Sequence, residues 1–468
     1  MTQSELIKKI LKIKEVPTLS KILEEIIEDD KESQYKKDMQ TSLNYFKNNN
    51  DILTGGISQK NVKGTITEQY WREKLKITNN FLQQIINEKV DYLLGKTPSI
   101  TSENEQLIQR MNINTNILQQ TAEYTRLFGK AFWYVYVNEN GELKYTLMDS
   151  RELIPIYEKG KLVNMIRYYK SYANGNAYMK VEFYDENGYL TFNETKNGLV
   201  CEQENINNIN IETGKIDIQN SLPYFADTDR QGNTLRNRNF GKIPFIEFKS
   251  NFTATPQLNS IKMYIDNIDI LLSDASVDIK TFKEIYLQIA GFGGDFQDQS
   301  RVNDFFEIFR QYKALLVDEQ GSAEIKTIEI PYEAKNWLIT TLENIMYRIA
   351  NSPRKQMEEK LGNLSGTALK ILQNPLRQSV SKMAISIADG IKEFGSFASD
   401  FYNLKGDVSV TFNYNEMTNN LETIQALAMS QGIISKKTIL ENHPYVSDVE
   451  KELERLDKEI NTDTFGVE

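Results

Sequence analysis

The chain has one cysteine, Cys201, and one histidine, His443, among 468 residues. With single copies, one chain can form no internal disulfide, no Cys/His zinc site and no Cys-His or Ser-His catalytic pair. Cys201 falls in a strand-like segment and His443 precedes Pro444 at a helix end, structural positions for both. No Gly-x-x-x-x-Gly-Lys-Ser/Thr loop is present, so the backbone cradle of a P-loop nucleotidase is missing. The glycines at Gly291, Gly293 and Gly294 lack the following lysine and read as a plain turn. No run of 18 apolar residues occurs, which predicts no membrane span, and Met1 to Lys14 reads as a polar amphipathic helix rather than a signal peptide. A cytoplasmic chain is expected. Basic excess is also absent: 55 Lys and Arg against 65 Asp and Glu leave a formal charge of −10, which argues against a broad basic face gripping nucleic acid.

What is present is an ordinary globular composition, 40% hydrophobic and 26% charged, long enough for more than one folding unit. From Ser4 to Phe46 apolar residues recur at helical spacing, with Pro17 between two runs, predicting two surface helices. Further helices are predicted over Thr78 to Leu94, stopped by Gly95 and Pro98, and over Asn114 to Phe128. From Ala131 to Phe248 the period shortens to two: Phe132, Tyr134 and Tyr136 alternate, and runs such as Lys180 to Tyr184 and Asn207 to Ile218 are separated by glycine turns. An antiparallel sheet domain is expected there, making the fold class α+β.

A long helix is predicted over Gln257 to Ile285, with Leu258, Ile261, Ile265, Ile268, Leu272, Ala275, Ile279 and Phe282 on its apolar row. Such a helix is a core helix, or it bridges separate bodies or packs against copies of itself. Next comes a small unit: a strand near Leu287 to Ala290, a helix over Gln299 to Tyr312, and strands Ala314 to Asp318 and Glu324 to Ile330 joined at Gln320-Gly321. A helix over Tyr332 to Ala350 runs back. Asn351 to Ser365 breaks periodicity and reads as a loop, then Gly366 to Tyr402 as a long helix bent at Pro375 and Gly390. A strand at Val408 to Phe412 can return to the earlier sheet, and three helices follow, Ser435 capping the second and Asp448 the third. Charge is segregated: residues 351–405 carry 8 basic and 5 acidic side chains, residues 415–468 carry 5 and 11.

Two charged groups are candidates for function. Asp266, Asp269, Asp274 and Asp278 share one helix at spacings of 3 and 4; the plain expectation is a solvated face, and the functional one is an acidic channel wall that repels phosphate. Arg354, Lys355 and Lys360 lie in the loop, as solvated charges or as transient phosphate contacts. A magnesium-dependent nuclease is the alternative from another class, with the helix acids as its only plausible ligands. A baseplate or capsid protein is a further structural alternative.

Five local sequences, in order, resemble the portal family of long-tailed phages infecting Gram-positive bacteria. They are Asn80 to Pro98 with its Tyr-Leu-Leu-Gly-Lys-Thr-Pro ending, Leu127 to Val137, Ile243 to Phe248, Gly362 to Lys370 and Ile434 to Leu440. Residues 193–238 depart from the family pattern. The resemblance implies a non-enzymatic ring of about twelve subunits at one capsid vertex, the channel for packaging and ejection of double-stranded DNA, assembled in the host cytoplasm. It implies a portal fold with a wing at 1–254 and 405–414, stem helices at 255–285 and 332–350, and a clip at 286–331. A tunnel loop at 351–365, a kinked helix at 366–404 and a crown at 415–468 complete it. Arg354, Lys355 and Lys360 would then meet DNA without sequence preference, the four stem acids would face the channel, and the clip strands would pair across subunits. Asp295 and Gln297 of the clip would bind the terminase large subunit and the head–tail adaptor. Major capsid and scaffolding proteins are further expected partners; no cofactor, metal or membrane is expected.

Overall fold

A computed structural model of the chain describes residues 16–54, 74–173, 175–202, 222–228, 234–281, 286–290, 322–326, 332–353, 366–416, 420–446 and 448–463. Its contacts divide the chain into two units: Met1–Lys47 with Asn80–Ile261 and Tyr347–Glu468, and Asn48–Asn79 with Lys262–Met346. The segment 48–79, expected in the wing, thus groups with residues 262–346, where stem and clip are expected. The physical reason is that the side chains of Asn50 and Asn79 both bond to Asp269.

The larger unit is built on antiparallel sheets, because its strands alternate apolar and polar residues and are joined by short turns. Strands Leu153–Glu158, Lys161–Ala173, Asn176–Tyr184, Tyr189–Thr195 and Gly198–Cys201 form a five-stranded meander in sequence order. Helix Val16–Glu32 covers one face of it: Leu19, Leu23, Ile26 and Ile27 pack on Ile154, Ile156, Ile166, Phe183 and Phe192. This helix is therefore a core element and not a surface one. A further break, which the apolar spacing does not signal, lies at Ser33. Pro17 sits in the first turn, where its missing N–H removes no bond, while the Ser33 hydroxyl accepts from Lys36 N at 3.3 Å and caps Gln34–Phe46. Residues 207–218, read as strand, lie outside the described residues.

A second sheet runs Phe245–Lys249, Lys130–Val137, Leu143–Met148, with Trp133 opposite Ile246 on one side and Leu147 on the other. Trp133 is fully buried, stacked on Tyr145 at 4.2 Å between centroids and 4.7 Å from Phe248, and its indole N–H donates to Thr121 Oγ1 at 2.7 Å. Onto this aromatic layer lies helix Gly366–Tyr402, which adds Phe394, 4.8 Å from Tyr145. The helix is unbroken through Pro375. Pro375 and Ile371 are both exposed, so water can satisfy the carbonyl that proline leaves without a donor. Strand Val408–Thr411 does not return to the earlier sheet; it pairs with Ser99–Ser102, Ser99 opposite Thr411, in a sheet of two.

In the smaller unit the expected 257–285 helix is interrupted. Gln257–Ser260 is a separate 3-10 turn in the larger unit, and the α-helix is Lys262–Thr281. Strand Ser322–Lys326 pairs antiparallel with Tyr286–Ala290, Tyr286 opposite Lys326. Residues 314–318 and the helix expected at 299–312 lie outside the described residues. The second helix is Tyr332–Ala350, as expected.

Gly390 distinguishes bending from close packing. A Cβ there would come closer than 3.0 Å to the ring of Phe248, itself fully buried against Trp133. If Gly390 only loosened the helix, alanine would stabilise it by roughly 0.5–1 kcal/mol. The packing instead makes Gly390→Ala destabilising by about 1–3 kcal/mol; urea denaturation read by circular dichroism measures the sign, and a gain in stability would restore the bend as the glycine's role.

Candidate channel and assembly surfaces

Helix Lys262–Thr281 carries the four acids, and its side chains at 265, 269, 273 and 277 follow one i, i+4 row. Ile265, Asp269, Ser273 and Val277 are all buried, so Asp269 belongs to the packed row and not to a solvated face. Its carboxylate is fully enclosed and has three donors: Asn79 N at 3.0 Å and Asn79 Nδ2 at 2.8 Å on Oδ1, and Asn50 Nδ2 at 2.6 Å on Oδ2. Ser273 Oγ, donating to the Asp269 carbonyl at 2.7 Å, accepts from Ile77 N at 2.9 Å, so the same row ties down the chain before Asn79. Burial pushes the Asp269 carboxyl up to about 6, and the bonds from Asn50 and Asn79 hold it from rising further.

The other acids are separated in their roles. Asp266 pairs with Lys262 at 2.7 Å, and Lys262 also reaches Asp51 at 2.7 Å. Asp278 pairs with Lys335 of helix Tyr332–Ala350, joining the two helices of this unit. Asp274 is half-buried. Asp269 is thereby withdrawn from the channel-facing set, and Asp266 and Asp278 are compensated within the chain. Among the described residues no three of His, Cys, Asp and Glu are grouped to hold a metal ion. No helix among them is long and apolar enough to cross a membrane.

Apolar side chains without cover form the second feature. From Tyr332 to Ile345 no residue is buried, although Trp337, Leu338, Ile339 and Leu342 lie on adjoining turns; Trp337 is 68% exposed. The C-terminal helices Asn420–Met429, Lys436–Glu441 and Val449–Asp463 behave alike. Ser435 and Asp448 cap the latter two as expected, their side-chain oxygens accepting from Thr438 N at 3.2 Å and Lys451 N at 3.1 Å. Yet no residue described between Leu421 and Lys458 is buried, and Met429 and Ile433 are each 82% exposed. Exposed apolar side chains grouped on neighbouring turns are characteristic of interaction faces.

Arg354, Lys355 and Lys360, and the clip residues Asp295 and Gln297, lie outside the described residues. Pro375 and Gly390 both lie in the long helix, with the roles given above. Sequence reasoning missed the buried cations Lys36, Lys89 and Arg126. Lys36 Nζ donates to the carbonyls of Ser150, Arg151 and Leu153 and pairs with Asp30 at 3.3 Å, an arrangement that no local pattern announces.

Asp269→Ala leaves two amide side chains and a backbone N–H without their acceptor, and the expected loss at neutral pH is about 1–3 kcal/mol. Because burial raises the folded carboxyl to about 6 and the unfolded one keeps its ordinary value of 3.8, the folded state binds more protons in between. This group's contribution therefore falls as pH rises through that window. Urea melts at pH 4 to 7 should show the advantage of wild type over Asp269→Ala shrinking with rising pH; an advantage that grows would refute the upward direction.

The family model described as "Phage portal protein, SPP1 Gp6-like" matches residues 25–464. The chain is 25% identical over 465 residues to the portal protein of Clostridium phage phiCD119, covering 90% of this chain and 92% of that one. It is 24% identical over 396 residues to the portal protein of Bacillus phage SPP1, covering 80% and 74%. Among solved structures it is similar to a chain in the virion of a native gene transfer agent particle, with a TM-score of 0.45, 9% identity and coverage of 83% and 96%.

Proposed function

The chain belongs to the family of phage portal proteins, non-enzymatic structural components of the virion, and from that premise we propose that it closes into a ring of about twelve subunits around a DNA channel at one capsid vertex. The supporting observation is the apolar surface left uncovered along 332–345 and 421–458. A single chain leaves this surface in water at a cost of about 25 cal/mol per Å². A head-to-tail contact, in which each face meets a different surface of the next copy, closes into a ring when the rotation fits. On this proposal the stem helices pack between neighbours and the clip strands Tyr286–Ala290 and Ser322–Lys326 extend their pairing across subunits.

Arg354, Lys355 and Lys360 are the proposed contacts to passing phosphate, few enough that binding is loose and indifferent to base sequence. Asp266, Asp274 and Asp278 are the remaining candidates for the channel wall. With Lys262 and Lys335 beside two of them, that wall would be near neutral in charge, which repels duplex less than four free acids would but still offers it no grip. Docking of the terminase large subunit and head–tail adaptor is assigned to the clip through Asp295 and Gln297. Capsid and scaffolding contacts, and transmission of loop movement along helix Gly366–Tyr402 at Pro375, complete the proposal.

Negative-stain electron microscopy of the full chain, viewed down the ring axis, tests it. Wild type should give rings with an open channel. Trp337→Asp with Leu338→Asp should lower the ring fraction at least about tenfold, while changing monomer stability by no more than roughly 0.5 kcal/mol, because both side chains are exposed in the single chain. Rings of unchanged yield would move the contact away from this helix; wild-type monomers at high concentration would refute ring formation.

A further inference from the structure

We infer that Glu88 is a positioning residue for the basic segment that begins at Arg354: with Ser352 it forms an anchor that fixes where the chain leaves helix Tyr332–Ala350. The role of the anchor rests on the reading of Arg354, Lys355 and Lys360 as phosphate contacts. The anchor itself is made of described residues of the larger unit.

The backbone closes the helix first. Asn351 takes a left-handed φ of 54°, its N–H donates to the Arg348 carbonyl at 3.1 Å, and the Ser352 N–H donates to the Tyr347 carbonyl at 2.9 Å. This is the Schellman pattern of helix termination; asparagine is tolerated in the left-handed position, and Pro353 follows as a stop. Such a cap sets the direction of the exit, but it would do the same on a helix lying free in solvent. This exit is instead enclosed: Tyr347, Ala350, Ser352 and Pro353 are buried, Ser352 to 4% exposure.

One face of helix Phe81–Leu94 holds it. Phe81, Ile85 and Glu88 follow an i, i+4, i+7 row. The Phe81 ring meets Tyr347 edge to face at 6.1 Å between centroids, and the Glu88 carboxylate accepts from the Ser352 hydroxyl. Phe81 and Glu88 are seven residues apart, about 10 Å along the axis, so together they resist rotation of the exit as well as sliding. A hydroxyl bond to a carboxylate is among the stronger kinds. The holding helix is itself fixed: Leu82, Ile85, Ile86, Val90 and Leu93 are at most 3% exposed, and Lys89 donates to Gln257 Oε1 at 2.6 Å. Only Pro353 separates Ser352 from Arg354, at most roughly 7 Å of chain. The first proposed phosphate contact is thus tethered directly to Glu88.

Hydrogen exchange in the full chain, read by mass spectrometry on peptides containing Asn351 and Ser352, tests the anchor. Ser352→Ala and Glu88→Ala should each speed exchange there about tenfold, while strand Lys130–Val137 exchanges as in wild type. The double variant should gain nothing over either single one, because both remove the same bond. Ser352→Thr keeps the hydroxyl and should exchange as wild type does. If Glu88→Ala fails to fold, Glu88→Gln decides the matter: it keeps an acceptor without the charge and should speed exchange about threefold. Unchanged exchange in the Ser352 and Glu88 variants, or effects that add, would overturn the anchor and leave the helix cap alone to set the exit.

Fluorescence anisotropy of a short duplex at low ionic strength, where a few phosphate contacts are measurable, tests the role. Arg354→Ala with Lys355→Ala should weaken binding, and Ser352→Ala, which changes no charge, should weaken it about threefold. Wild-type affinity in Ser352→Ala, with the basic pair still required, would overturn the positioning role. Loss of the basic pair without effect would refute the phosphate reading instead, and the exchange result would still decide the anchor.

Discussion

The fit of helix Gly366–Tyr402 onto the sheet around Trp133 is the constraint on which the larger unit rests. Phe248 can lie against Trp133 only because position 390 has no side chain, and Phe394, one turn on, completes the aromatic layer against Tyr145. The same helix then meets Val408 at Gly395, where a Cβ would again be closer than 3.0 Å, bringing in the small sheet Ser99–Ser102 with Val408–Thr411. Arg126, from the helix beneath Trp133, reaches back to the Ser379 carbonyl. One long helix thus ties together strands separated by more than 300 positions in the chain, and an aromatic core of interlocking rings tolerates little displacement of it.

Buried charge recurs as a means of fixing irregular chain. Lys36 gathers three carbonyls around the 3-10 turn Ser150–Glu152, and Asp269 collects three donors from Asn50 and Asn79. In both cases a long or forked polar side chain satisfies backbone and amide groups that a loop would otherwise bury unpaired.

Much of this was legible in the sequence. Periodicity located helices Phe81–Leu94, Thr115–Phe128, Tyr332–Ala350 and Gly366–Tyr402 and the alternating strands, and local motifs led to the portal family, because amphipathic spacing and cap chemistry are short-range. What escaped depended on partners distant in the chain. Asp269 looked like one of four equivalent acids, yet it shares an i, i+4 row with Ile265 and Val277, a hint that it faces inward; Ile279, assigned to the apolar row, is 61% exposed. The boundary at Ser33 carries no proline or glycine; it is set by the Ser33 hydroxyl that caps the following helix. Lys89 and Arg126 carried no local signal, since a buried cation is defined by what packs around it.

The three C-terminal helices have a consequence of another kind. A segment whose helices are 6 to 15 residues long and bury no described residue has little beyond its caps to resist local opening. Its amides in an isolated chain should exchange with solvent almost as freely as those of a peptide, and its backbone should be the first offered to a protease. In the proposed ring, order in that segment would be conferred by neighbouring subunits.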